Sequence, residues 1–354
     1  MMKETLRALI LAVLVLTLAF PPSAVAGVPQ APAAPQQQEQ QGAQRPPEAT
    51  ISVEVPIVTL DVVATTQRGD ILTGLKKENF KILEDGVPQT TGNFGPTDAP
   101  ITIVILMEFS NLFQGWFSYI GQEWTDAFFR NLNAKDWAAL VTFDMRPTLQ
   151  ADFTQDKTEV QAALRRLYFP GFSEANLFDA LLDTVDRLKD VQGKKSILVV
   201  ATGFDTFSKH TLDKTLKQLR QTDVTIFCVG VARPITNRYP PSGGMGTFSS
   251  TGFSQAENQL RTFAEMTGGF AWFPQFDGEI PGIFKDVAAY LRNQYSLAYT
   301  PTNRARDGKF RKIKVELVNR DGTPLTVTDQ KGKKLKTVVY VRQGYTAPKE
   351  GASN

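Results

Sequence analysis

The chain has 354 residues, and its 39 basic side chains nearly balance 36 acidic ones, for a formal net charge of +3. This balance argues against nucleic acid or an anionic membrane surface as a partner. The single histidine, His210, excludes a metal site built from two or more imidazoles. The single cysteine, Cys228, lies in an apolar run and is expected to be a small buried hydrophobe.

The first 26 residues have the pattern of a secretory signal. Lys3 and Arg7 form a basic start, residues 8–20 are an apolar run, and Ser23-Ala24-Val25-Ala26 offers a small-residue cleavage site. The run is shorter than the roughly 20 residues that a membrane span needs, although an uncleaved membrane tether remains the alternative. We therefore predict export to the periplasm or the medium. One buried thiol without a disulfide suits a bacterial periplasm.

The next two segments differ in composition. Residues 27–50 are rich in Pro, Gln and Ala, which predicts a disordered tether. Residues 51–99 contain short stretches of alternating apolar and polar side chains, with turn sequences at residues 67–70 and 84–87. This pattern predicts the first part of a β-sandwich.

Residues 100–293 alternate continuously apolar strands with amphipathic helices. Strands are predicted at residues 101–107, 138–143, 197–201, 224–231 and 270–273, and helices at residues 117–132, 177–188, 212–219, 255–266 and 280–292. This rhythm predicts an α/β fold, a doubly wound and mostly parallel sheet covered on both faces. Residues 233–254 are rich in Gly, Ser and Pro and are predicted to be a long loop.

Residues 294–347 return to a β pattern, and residues 348–354 form a tail. Ile313, Val315 and Leu317 alternate with charged neighbours, as in a strand with one buried face. Neither this segment nor residues 51–99 can bury much core alone. We therefore predict that the two segments pair as one discontinuous β-sandwich, with the α/β domain inserted between them.

Several stretches together carry a resemblance to a known family. They are residues 60–64, 79–86, 177–181 (Leu177-Phe178-Asp179-Ala180-Leu181), 263–269, 291–301, 308–313 and 344–345. Through them the chain resembles the VWFA-related proteins of the Acidobacteria type over about residues 51–347. The resemblance implies a von Willebrand factor A-like, Rossmann-like fold, export, and binding rather than a known reaction.

The resemblance also implies the place of a metal-dependent adhesion site, at the carboxyl ends of the parallel strands. Such a site is octahedral, with oxygen ligands from two carboxylates, two serines and a threonine, and a hard cation demands that geometry tightly. The corresponding positions of this chain are Glu108, Ser110, Leu112, Ala175 and Thr202. Leu112 and Ala175 have no ligating oxygen, and Glu108 is one methylene longer than aspartate. We predict that the metal is lost; the alternative is a rearranged, weak Mg²⁺ or Mn²⁺ site that uses Glu108, Ser110, Asn176, Thr202 and Asp205.

Aromatic side chains are unusually frequent around this vestigial metal site, which suggests an exposed patch for a protein partner. The candidate partner-binding residues are Phe109, Asn111, Phe113, Trp116, Asn176, Phe204 and Asp205. The alternative is that most of these aromatic rings pack inside the protein.

Catalysis has little support in the sequence. Ser208 and His210 follow no known nucleophile arrangement, and Cys228 lies in a strand, where a thiol is poorly activated. We therefore predict a non-enzymatic module that binds another envelope or secreted protein, with no nucleic acid and no evident small-molecule substrate. An envelope hydrolase is the alternative from a different class.

Overall fold

The strands and helices below come from a computed structural model that describes residues 57–95, 99–110, 126–167, 174–238 and 250–349. The strands are β1 (Val58–Thr66), β2 (Phe80–Glu84), β3 (Val87–Gln89), β4 (Thr91–Gly95), β5 (Ile101–Glu108), β6 (Trp137–Phe143), β7 (Pro147–Thr154), β8 (Lys194–Ala201), β9 (Thr225–Gly230), β10 (Ala271–Trp272), β11 (Tyr295–Tyr299), β12 (Phe310–Leu317), β13 (Val327–Thr328), β14 (Lys334–Leu335), β15 (Thr337–Tyr340) and β16 (Gly344–Thr346). The helices are α1 (Lys157–Arg165), α2 (Leu177–Arg187), α3 (Leu212–Leu219), α4 (Ala232–Arg238), α5 (Ser250–Thr267) and α6 (Ile280–Arg292).

A six-stranded sheet with the order β10-β9-β8-β5-β6-β7 forms the centre of the α/β part. Its first five strands are parallel, and β7 pairs antiparallel with β6 at the edge. Every residue of β5, β8 and β9 is buried, which explains why the central residues of these strands are apolar on both faces. The predicted α/β fold class is confirmed. The edge strand β7 was not predicted, because its partly exposed, polar side chains resemble a loop.

Successive side chains of the central strands point to opposite faces of the sheet and build two cores. Ile103 and Ile105 belong to the core that includes Phe284 of α6. Val104 and Leu106 belong to the other core, together with Leu181 of α2. The period of two along β5 therefore decides which helix layer each residue contacts.

The flanking segments form two four-stranded antiparallel sheets, β15-β1-β11-β4 and β16-β12-β2-β3. Each sheet combines strands from both ends of the described chain: Leu60 pairs with Leu297, and Ile82 pairs with Val315. One apolar cluster joins the two sheets. The predicted discontinuous β-sandwich is confirmed, because neither segment completes a sheet without the other.

One predicted loop is wrong in the structure, and one predicted helix lies largely outside the described residues. The predicted loop at residues 233–254 is wrong at both ends, where α4 and α5 occupy much of it. The helix predicted from residue 117 falls largely on residues 111–125, outside the described part, and only residues 126–129 are seen to be helical. The signal segment, the tether and residues 350–354 also lie outside it. Among the described helices, none has the length and apolar character of a membrane span.

Candidate functional site at the carboxyl edge of the central sheet

The carboxylate of Glu108 lies at the carboxyl end of β5, beside the end of β8. Its side chain is buried, with only 1% of the residue exposed. Ser110 donates its hydroxyl to Oε1 of Glu108 at 2.7 Å. Thr202 donates both its backbone N–H and its hydroxyl to Oε2, at 2.7 and 2.6 Å. Three of the five vestigial positions therefore meet in one hydrogen-bonded cluster, here called the Glu108 cluster.

Burial is the main electrostatic influence on this cluster. Removal from water raises the pKa of the Glu108 carboxyl, while the hydrogen bonds from Thr202 and Ser110 act in the opposite direction. Each carboxylate oxygen accepts at least one hydrogen bond, which offsets part of the cost of burying the charged form.

Two of the five vestigial positions at this edge, Leu112 and Ala175, have no side-chain oxygen that could bind a hard cation. Both oxygens of Glu108 already accept hydrogen bonds from the neighbouring hydroxyls. Ala175 is buried and presents a methyl group, and Leu112 lies outside the described residues. Within the described ranges, no three Asp, Glu, His or Cys residues are close enough to hold a metal.

The second carboxylate of the edge, Asp205, supports the neighbouring helix instead. Its Oδ1 accepts the backbone N–H of Phe178 in the first turn of α2 at 3.0 Å, and the hydroxyl of Ser208 at 2.6 Å. A carboxylate at a helix N-terminus satisfies free N–H groups and interacts favourably with the helix dipole. Asp205 thus acts as a cap from another loop.

Two loops of the edge are joined by a second set of hydrogen bonds, around Asn176. Asn176 donates its side-chain N–H to the carbonyl of Met145 at 3.1 Å and accepts the backbone N–H of Phe207 at 3.1 Å. Beside it, Thr206 and Ala175 exchange backbone and hydroxyl hydrogen bonds of 2.8 to 3.0 Å. Asn176 is buried, so its role is to hold the loops rather than to contact a partner.

The exposed apolar groups of this edge differ from the predicted aromatic patch. Phe109 was predicted to be exposed, and this prediction is wrong. The residue is 8% exposed and belongs to the same core as Ile105 and Met107. Its N–H donates to the carbonyl of Phe143, so the strand alternation continues one residue past β5. That alternation was visible in the sequence and could have predicted the burial.

Of the four remaining candidate residues, one is half-buried and three lie outside the described residues. Phe204 is half-buried and packs edge-on against Phe253 of α5, with ring centroids 5.9 Å apart. Asn111, Phe113 and Trp116 lie outside the described residues.

Among the described residues, the exposed apolar side chains of this edge are Phe207, 66% exposed, and Met145, 37% exposed. Met145 had no signal in the sequence, since it follows β6 in an ordinary turn.

Ser208 and His210 are not brought together as a nucleophile and its base. The hydroxyl of Ser208 donates to Asp205, whereas Nδ1 of His210 lies 2.6 Å from Oδ1 of Asp179. Burial raises the pKa of the Asp179 carboxyl, but the N–H of Lys209 and the imidazole of His210 outweigh it, so that pKa lies below its usual range. The Asp179–His210 pair joins the start of α2 to the loop that follows β8.

Comparison with known proteins agrees with this architecture. Residues 117–272 match the family model of the von Willebrand factor type A domain. Residues 117–272 are therefore similar to a von Willebrand factor type A domain, and the β-sandwich described above flanks them. Comparison of the sequence with curated proteins gave no match.

Several solved structures are similar to this chain at low sequence identity. A von Willebrand factor type A protein from Catenulispora acidiphila is 11% identical, with a TM-score of 0.44, over 82% of this chain and 74% of that one. An aerotolerance-related membrane protein from Bacteroides fragilis is 13% identical, with a TM-score of 0.42, over 54% of this chain and 98% of that one. The von Willebrand factor domain of the type V pili tip protein Mfa5 from Porphyromonas gingivalis is 12% identical, with a TM-score of 0.40, over 54% of this chain and 94% of that one.

Proposed function

We propose that this protein is an exported, non-enzymatic module that binds another envelope or secreted protein through the carboxyl edge of the central sheet, without a metal. The observation that carries this proposal is the Glu108 cluster, in which neighbouring donors use both carboxylate oxygens. A cation would have to displace these hydrogen bonds, and among the described residues of this edge Glu108 is the one buried carboxylate that would balance its charge. Export is supported by the basic start and apolar run of residues 1–26.

The binding surface is proposed to centre on Phe207 and Met145, here called the Phe207–Met145 patch. Both side chains are exposed, and the backbone beside each is held by Asn176. A rigid backbone lowers the entropy that is lost when exposed side chains become ordered on binding. Aromatic and methionine side chains are the types enriched at the centre of protein interfaces.

Substituting the patch is expected to abolish partner capture while leaving the fold intact. The double variant Phe207→Ser/Met145→Ser changes two side chains at exposed positions outside the three apolar cores, so its melting temperature should stay close to that of the wild type. In quantitative pull-downs from the envelope and secreted fractions of the source organism, proteins retained by the wild type should be lost with this variant. Val87→Ser, at an exposed position on β3 of the sandwich, is the matched control and should retain them. Equal capture by all three proteins would contradict the assignment of the patch.

Divalent cations are expected to leave the melting temperature unchanged. A ligand that binds only the folded state must raise that temperature. Melts in EDTA and in millimolar Mg²⁺ or Mn²⁺ therefore distinguish the metal-free module from the rearranged metal site. For the wild type and for Glu108→Gln alike, we expect the melt with the cation to superimpose on the melt of the same protein in EDTA. An upward shift in the wild type that Glu108→Gln abolishes would instead support the rearranged adhesion site.

A further inference from the structure

A polar cavity lies at the opposite edge of the central sheet, where β8 begins and the sheet meets the β-sandwich. Its volume is about 540 Å³, within the range of small-molecule sites. Thr59 and Asp61 of β1 line it together with Ser296 of β11, Lys194 of β8, and Arg342. Because Lys194 starts β8 and Thr202 follows its end, this cavity is separate from the Glu108 cluster.

Charged groups of both signs face one another in this cavity. Oδ1 of Asp61 is buried and has no hydrogen-bond partner. Burial and the nearby carboxylate of Asp223, which also lines the cavity, raise the pKa of the Asp61 carboxyl, while the charges of Lys194 and Arg342 and a hydrogen bond with Ser296 act in the opposite direction. A buried acceptor without a partner costs free energy of folding, which a ligand's donor can recover if it reaches that oxygen.

The cationic side of the cavity is held in place by the backbone. Lys194 is buried, and its ammonium donates to the carbonyl of Gln294 at 2.7 Å. Arg342 uses Nε to hold the carbonyl of Gly344 at 2.9 Å, which positions its guanidinium group. A guanidinium group has five N–H donors, so this single bond leaves capacity for a carboxylate.

An apolar cavity of about 610 Å³ adjoins the polar one. Ala99, Gln192, Gly193 and Lys194 line both cavities. Trp137, Phe153 and Val191 line only the second, and Trp137 is 42% exposed, a large exposure for an indole ring. A ligand with a charged end and an apolar end could therefore occupy both cavities at once.

We propose that these joined cavities bind a zwitterion with an apolar side chain, a free amino acid or a short peptide. The ammonium group of the ligand pairs with Asp61, its carboxylate pairs with Arg342, and its side chain lies against Trp137. This small-molecule site goes beyond the proposed protein-binding function and uses none of the residues of the Phe207–Met145 patch.

The test is isothermal titration calorimetry of the full chain with four probes: L-phenylalanine, the dipeptide Phe-Gly, N-acetyl-L-phenylalanine and L-phenylalanine amide. We expect the zwitterions to bind, and loss of either charged end to weaken binding by about tenfold or more. The ratio between the free amino acid and the dipeptide identifies the natural class. Absence of heat from all four probes at millimolar concentration would overturn the proposal, as would equal binding of the blocked and unblocked forms.

Variants locate the binding that the probes detect. Asp61→Asn is expected to weaken the zwitterions by about tenfold or more and to remove the penalty for N-acetylation. Trp137→Ala, at a partly exposed position with low risk to folding, is expected to weaken every phenylalanine derivative. Asp286→Asn and Phe276→Ala change exposed residues outside both cavities and are expected to bind as the wild type does. Unchanged affinity in both Asp61→Asn and Trp137→Ala would place the ligand elsewhere and contradict the proposal.

Discussion

Glu108→Ala is expected to lower the free energy of unfolding by about 3–5 kcal/mol, because each buried donor that loses its acceptor costs about 1–3 kcal/mol. The change leaves the N–H and hydroxyl of Thr202 and the hydroxyl of Ser110 without their acceptor, in a place that water does not reach. Urea denaturation of the variant and the wild type measures the difference. A loss below about 1 kcal/mol would show that the Glu108 cluster contributes no more than an ordinary hydrogen bond.

Glu108→Gln is the control that keeps the shape and removes the charge. Its amide oxygen can accept from Thr202, and its N–H can donate to the hydroxyl of Ser110. We expect a stability within about 1 kcal/mol of the wild type at neutral pH.

The difference in stability between the wild type and Glu108→Gln should change with pH in one direction. Burial raises the pKa of Glu108 above its unfolded value, so proton uptake favours the folded state. The wild type should gain stability relative to Glu108→Gln as the pH falls through the folded pKa, until it nears the unfolded pKa. A difference that stays constant across that range would show that the carboxylate is not destabilised by burial.

Gly269→Ala is expected to cost more than about 4 kcal/mol, which is exceptional for a single substitution. A Cβ at this position would lie 1.9 Å from the backbone carbonyl oxygen of Ile226, so the backbone itself would have to move. The displaced segment links α5 to the short parallel pairing of β10 with β9. We expect little folded protein by circular dichroism at 37 °C.

Gly282→Ala is the matched control for this substitution. A Cβ at Gly282 meets nothing within 4 Å, and the residue lies in α6, where alanine is the better helix former. This variant should be as stable as the wild type or more stable by up to about 1 kcal/mol. Similar losses in both variants would show that helix or loop entropy, rather than the close approach to β9, decides the role of Gly269.

The layered architecture was predictable from the amino-acid pattern. Strands buried on both faces are largely apolar, so residues 101–107 and 197–201 indicated the centre of the parallel sheet. The family resemblance placed Glu108 and Thr202 at one edge, and the structure confirms this, because Glu108 ends β5 and Thr202 follows its parallel neighbour β8. The flanking segments had to pair for a simple reason: each carries one apolar face and too little chain to cover it.

Which side chains of the edge are exposed and where charged groups meet could not be predicted from the sequence and depends on the tertiary structure. Asn176 joins two loops through single hydrogen bonds, and the exposure of Met145 and Phe207 depends on that geometry. Asp61, Lys194 and Arg342 lie far apart along the chain and meet because the β-sandwich closes against the amino edge of the central sheet. The local spacing of apolar residues indicates which face of a strand or helix is buried. The packing of one layer on another depends on long-range contacts that no local pattern encodes.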